Sequence, residues 1–206
     1  MEEKKLTELE SISIIAEMIS RTKERYIGDG NIMIMWGWLT VAVTCLVWSL
    51  LAATLNPAWN WLWFLIPAIG GTLTPIMAKK SERKQGVKTY SDKISSQIWL
   101  AVGLIGMIAT IVCLGFGFAG IYAWSLMFVY ALIIVPFAEI VQGLIMREKS
   151  LVIGGAAGIA VGIFTTGCLI SRITLSAYWF LPTFMLAFVC MMIIPGYIIN
   201  RKAHRK

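Results

Sequence analysis

Runs of about twenty or more residues with almost no charge alternate along this chain with short polar, mostly basic stretches. Six such runs stand out: Ile32–Leu55, Ala58–Ala78, Ile98–Phe118, Ile121–Met146, Ser150–Ile170 and Ala177–Ile199. About 30 Å of hydrocarbon at 1.5 Å rise per residue asks for about 20 apolar residues in a helix. Each run therefore predicts one membrane-crossing helix. The expected fold is an all-α membrane protein, a six-transmembrane-helix bundle over residues 32–199. A short basic tail, 200–206, follows it. The longest stretch outside the runs is residues 1–31. That is too little chain for a soluble domain, since domains below roughly 40 residues seldom fold unaided.

Residues 6–27 show a different pattern. Leu6, Leu9, Ile12, Ile15, Ala16, Ile19 and Tyr26 recur at spacings of three and four, which predicts an amphipathic helix. Thr7 and Glu10 have capping-box spacing, and Arg21, Lys23 and Arg25 gather at the other end, where they suit the helix dipole. Its apolar face, with Ile12, Ile15 and Ile19, suits the membrane interface, the basic end meeting anionic lipid headgroups. Docking on a second copy or on a cytoplasmic protein is the alternative. Gly28, Asp29, Gly30 and Asn31 then turn the chain into the bilayer. Three connections (Asn56-Pro57, Ala119-Gly120 and Ser171–Ser176) are short enough to make tight hairpins. Residues 79–97 are expected as the one sizeable loop.

Composition strengthens this picture, with 58% hydrophobic and 14% charged residues against roughly 25% charged in ordinary chains. The formal charge of +7 first suggests nucleic acid. Its distribution points elsewhere. All 18 Lys and Arg residues except Arg172 fall before span one, between spans two and three, after span four or after span six. By the positive-inside rule both termini and those loops are cytoplasmic, and no nucleic-acid partner is expected. Cys45, Cys113, Cys168 and Cys190 all lie in predicted spans without a Cys-x-x-Cys pair, and the only histidine, His204, sits in the tail. Neither a disulfide framework nor a metal site is indicated, and no cofactor is expected. The opening Met-Glu-Glu-Lys-Lys is unlike a secretory signal, so an uncleaved chain is expected.

The even-numbered spans share a loose plan of aromatics first (Trp59, Trp61, Trp63; Tyr122, Trp124; Tyr178, Trp179), then a proline (Pro75, Pro136, Pro195), then basic residues. A threefold hairpin repeat and an inverted three-plus-three repeat both accommodate it. So does the aromatic belt of membrane proteins in general.

Glu139 is the one acid inside a span. A charge at mid-bilayer costs a few kcal/mol on insertion scales, so such residues are functional candidates by default. Arg147 lies eight residues on, about 12 Å along the axis, which puts Glu139 in the inner half of the hydrocarbon. Pro136 removes a helix hydrogen bond and exposes a carbonyl, while Gln142 and Gly143 share the Glu139 face. This constellation suits an ion or proton site. A structural role, bonded to Gln142 or to a neighbouring helix, is the competing reading. In span five, Gly154, Gly158 and Gly162 at intervals of four predict close helix packing. Phosphate binding is not expected there, since the run lies inside an apolar span with no following Lys-Ser or Lys-Thr. In span two, Pro67, Gly70, Gly71 and Pro75 predict a bent or locally unwound helix. No paired carboxylates, zinc-ligand spacing or nucleophile–base pair predicts catalysis.

The stretch from Ile12 to Arg25, followed by Asn31-Ile-Met-Ile-Met-Trp36-Gly37-Trp38, resembles small, uncharacterised multi-pass bacterial inner-membrane proteins. In those, an amphipathic helix leads into a first span beginning near Trp-Gly-Trp. The resemblance implies a bacterial inner-membrane location and brings no activity with it. The function expected is a non-catalytic regulatory or scaffold role facing the cytoplasm. A small secondary transporter working through Glu139 is the alternative.

Overall fold

The computed structural model describes residues 12–13, 30–85, 90–121 and 123–204, with the backbone alone at 81–85 and 90–92. Among these residues every regular element is helical, and six helices are long and apolar enough to cross a membrane. They are α1 (Asn31–Thr54), α2 (Leu65–Gln85, entered through a 3-10 segment, Pro57–Phe64), α3 (Tyr90–Phe118), α4 (Ser125–Met146), α5 (Lys149–Ile170) and α6 (Ala177–His204). The described part of the chain is all-α, and its six long apolar helices suggest a multi-pass membrane protein. Residues 79–85 and 90–97, expected as loop, are helical. A hydropathy run marks where apolar side chains end, whereas the hydrogen-bonded ladder continues into polar sequence. For the same reason α6 runs past Ile199 to His204.

Local chemistry sets the hairpins. The Asn56 side chain accepts from the Ala58 N–H at 2.9 Å, with Pro57 pre-shaped for the first helical position. Ser176 caps α6 by accepting from Tyr178 N–H. α4 ends at Arg147, whose left-handed φ of 54° lets the Glu148 N–H reach the Gly143 carbonyl at 2.8 Å. At the start of α1, Gly30 has a φ of +67°, and a Cβ there would lie 2.5 Å from the Gly196 oxygen. Only glycine meets both conditions.

Side by side, the helices pack in the order α2, α1, α6, α5, α4, α3. The row curls at one end, where Trp63 in the 3-10 segment meets Phe128 of α4 at 5.5 Å and Phe184 of α6 at 6.0 Å. Trp61 and Phe64 reach Trp124 there, at 6.5 and 5.8 Å. This is the aromatic end. At the opposite, terminal end, Asn200 donates to Asn31 at 2.8 Å. The core runs between the two, with Leu132, Val135, Ala138, Phe180, Phe184, Phe188 and Met191 at its centre. The α2 and α3 faces turned away from it carry Leu73, Ile76, Leu104 and Ile108. Such surface suits lipid, which is as apolar as they are.

Lys202 donates to Glu148 at 2.6 Å across the terminal end. Glu148 is buried with 8% of its side chain exposed, while Lys202 is 50% exposed. Removing the lysine strands the carboxylate. Lys202→Met is expected to destabilise by roughly 1–3 kcal/mol, between an exposed and a buried pair. Adding Glu148→Gln should recover most of that loss in a thermal melt. A double variant no more stable than Lys202→Met would contradict this account of the pair.

Candidate functional site

α4 and α6 share an irregularity at mid-length. Each winds through five residues of π-helix, Tyr130–Ile134 and Val189–Ile193, and each places a proline two residues later. Proline lacks an N–H and its ring presses on the carbonyl one turn back. The wide turns absorb that conflict, with the Val135 N–H bonding the Tyr130 carbonyl and the Ile194 N–H the Val189 carbonyl. Single π-turns of this kind recur at functional positions. Span two behaves otherwise: α2 stays helical through Pro75, and its irregular winding lies in the 3-10 entry.

The glycines of α5 fit against both wide turns. A Cβ on Gly162 would collide with the Leu132 carbonyl oxygen, and one on Gly158 would lie 2.8 Å from the Pro136 ring and 2.7 Å from Met191. At Gly155 the obstacle is the Pro136 carbonyl (2.7 Å), and at Gly154 the Cys190 carbonyl (2.9 Å) and the Pro195 ring (2.8 Å). Three of these obstacles are backbone carbonyls, so α5 serves as a backbone-to-backbone seat for both proline helices. The small residues are used within the chain.

Glu139 follows Pro136 by three residues, about 10 Å along the axis from the terminal end of α4. It is fully buried, at 0% exposure. Among the described residues neither carboxyl oxygen has a hydrogen-bond partner. Among the described residues the other such buried side-chain atoms are Trp48 Nε1 and Ser150 Oγ. The structure does not bring Gln142 to Glu139. Its amide oxygen instead accepts from Trp99 Nε1 of α3 at 2.7 Å, and its nitrogen donates to Met146 sulfur at 3.7 Å. The Leu132 carbonyl lies against Gly162 of α5.

Trp36 Nε1 of α1 donates to Thr74 Oγ1 at 2.9 Å, and Thr74 donates to the Gly70 carbonyl at 2.6 Å. The Trp36 ring lies where a Gly70 side chain would be. Gly37, its neighbour, abuts Met192 and Ile193, so Trp36 sits at the level of the α6 wide turn. Both Trp36 and Trp99 are half-buried against the core cluster that holds Val135 and Ala138, four residues and one residue before Glu139 in sequence.

Protein-family models, curated proteins and solved structures give no match to this chain.

The sequence marks Glu139, Pro136 and the α5 glycines, but not the two tryptophans, whose polar partners are 38 and 43 residues away. Aromatics are so common in membrane chains that neither tryptophan announces a polar partner on another helix. Of the N-terminal docking residues, Ile12 is helical and exposed. Ile15, Ile19, Arg21, Lys23 and Arg25 lie outside the described residues.

Proposed function

We propose that this protein is a small ion-coupled carrier in which Glu139 takes up and releases a proton. The observation that carries the reading is a fully buried carboxyl with neither oxygen bonded. A buried polar group left unsatisfied costs roughly 1–3 kcal/mol. An apolar residue of similar size avoids that penalty, so a carboxyl in this position is explained by use. The wide turns beside Glu139 and in α6 give α4 and α6 points at which to flex. The glycine face of α5 presents no side chains of its own to the two proline helices, which favours small shifts of one against the other. The aromatic contacts at one end and the Glu148–Lys202 and Asn31–Asn200 pairs at the other supply two closures. Opening them in turn would give Glu139 access to each side.

The basic loops support a cytoplasmic terminal end, and the first-span pattern favours a bacterial inner membrane. The regulatory alternative rests on residues 6–27, almost all outside the described part of the chain. The carrier reading rests on described geometry. The test is proton entry into vesicles containing a pH-sensitive dye under an imposed potassium diffusion potential. Vesicles with the wild-type protein should acidify, and Glu139→Gln should fall to the protein-free rate. Equal rates for the two proteins, or no wild-type flux above protein-free vesicles, overturns the proposal.

A further inference from the structure

The outer side of the α5–α6 seam combines apolar and basic residues near the terminal end. On α5, Lys149, Ile153 and Ala157 recur at intervals of four and are all exposed, Ile153 at 69%. On α6, Ile194 and Ile198 are exposed one turn apart, and Arg201 and Lys202 follow after another turn. Two contacts set these stripes side by side. Lys202 Nζ reaches Glu148 Oε2 at 2.6 Å, and a Cβ on Gly154 would lie 2.8 Å from the Pro195 ring. Gly154 and Pro195 are buried in the seam, while their sequence neighbours Ile153 and Ile194 are exposed beside it. From Lys149 to Ala157 the apolar strip descends about 12 Å along the helix axis.

The charge above that strip is one-sided. Arg147, Lys149 and Arg201 are exposed around the Glu148–Lys202 pair. Among the residues whose side chains are described, the only acids are Glu148 and Glu139, and Glu139 lies deep in the bundle. Glu148 is already taken by Lys202. The Lys202 ammonium has three donors, and half of its side chain is exposed, so it can serve a second anion from outside. Cations in excess over an apolar strip match a molecule with an anionic head and a hydrocarbon tail. A free phosphate would leave Ile153, Ile194 and Ile198 uncovered. A zwitterionic lipid would bring its own cation against Lys149 and Arg201.

We infer that the terminal end of the α5–α6 seam binds one anionic phospholipid. Its phosphate lies among Lys149, Arg201 and Lys202, and an acyl chain covers Ile153, Ala157, Ile194 and Ile198. Basic groups between transmembrane helices hold anionic headgroups in this way, through charge-assisted hydrogen bonds. The small side chain of Ala157 leaves room for the chain. The lipid bridges from outside the same two helices that Glu148 and Lys202 join from within. The site is separate from Glu139 and stands whether or not the protein carries protons.

The experiment titrates the full-length purified protein in detergent with phosphatidylglycerol or phosphatidylcholine and counts bound lipid by native mass spectrometry. The first phosphatidylglycerol is expected to bind about 10-fold or more tightly than phosphatidylcholine. Lys149→Gln and Arg201→Gln should each weaken it about 5-fold, the effect of one cation beside an anionic lipid. Lys79→Gln and Lys80→Gln remove the same charge from exposed positions on α2 and should leave that first lipid in place. Ala157→Phe should weaken binding by crowding the strip, whereas Gly167→Phe, further along α5 where a side chain meets open space, should not. Ile198→Gln tests the strip without added bulk and should also weaken binding. Equal affinity for the two lipids would overturn the inference. Equal losses from the α2 changes and from Lys149→Gln and Arg201→Gln would do the same, since net charge alone would then explain the preference. Displacement of phosphatidylglycerol by inorganic phosphate at the same concentration would assign the cations to a free anion instead. Unchanged binding in folded Ala157→Phe or Ile198→Gln would remove the acyl-chain strip and the lipid site with it.

Discussion

Glu139→Leu is expected to melt several degrees above the wild type and to carry no protons. Both outcomes come from the same two oxygen atoms. In the wild type they are buried without a partner, a condition worth roughly 1–3 kcal/mol against the fold. Leucine fills a similar volume and has nothing to satisfy. A chain of this length shifts its melting point by about 2–4 °C per kcal/mol. Stability gained at the expense of activity is the usual pattern where a buried polar group is kept for function. Intrinsic tryptophan fluorescence in detergent reads the melt, and the dye-loaded vesicles read the flux. A melting point below that of the wild type would show that the carboxyl serves the fold and would remove the main support for the carrier.

Gly162→Ala should be as damaging as Glu139→Leu is stabilising. The added carbon meets the Leu132 carbonyl oxygen, and Ile133 Cγ1 lies 2.8 Å from it. The first obstacle is backbone and has no rotamer to change. α4 and α5 must separate, and overpacking of this kind costs about 1–3 kcal/mol for one carbon. Gly162→Leu is expected to prevent assembly of the pair and to give little monodisperse protein. Gly167, five residues further along the same helix, has open space where its Cβ would be. There, alanine should be neutral or stabilising by up to about 1 kcal/mol, since only helix propensity changes. Similar melting points for Gly162→Ala and Gly167→Ala would refute the close seat assigned to α5.

The six helices are legible in the sequence because membrane crossing is a matter of length and apolarity, both of which are counted directly. Glu139 is legible because one acid in an apolar run has no competing explanation in composition. The glycine spacing of α5 signals close approach, though not that two helices use it at once. What the sequence does not reveal is lateral order. In a soluble helix the polar face marks the outside. Here Leu104 and Ile108 are exposed and Leu132 and Leu151 are buried, and the residue types are the same. Lipid and helix interior are equally apolar, so periodicity has little contrast to reveal. The wide turns are hidden for another reason. Pro136 and Pro195 each announce a missing donor, but the way the preceding five residues absorb it depends on the neighbouring helix.

The lateral order bears on how the protein is made. α1 and α2 are synthesised before α6, yet α1 finds its long seam on α6. Meanwhile α3, α4 and α5 already have one another. Two half-bundles therefore lie side by side until α6 arrives, with the rings of the α2 entry meeting Trp124 and Phe128. Only when Ala177–His204 slides between them does the molecule become one piece. Until then the nascent chain displays unfinished seams, the kind of surface that membrane proteases and insertases inspect. α6 is thus the keystone of biosynthesis, and errors late in translation fall on the helix that closes the bundle.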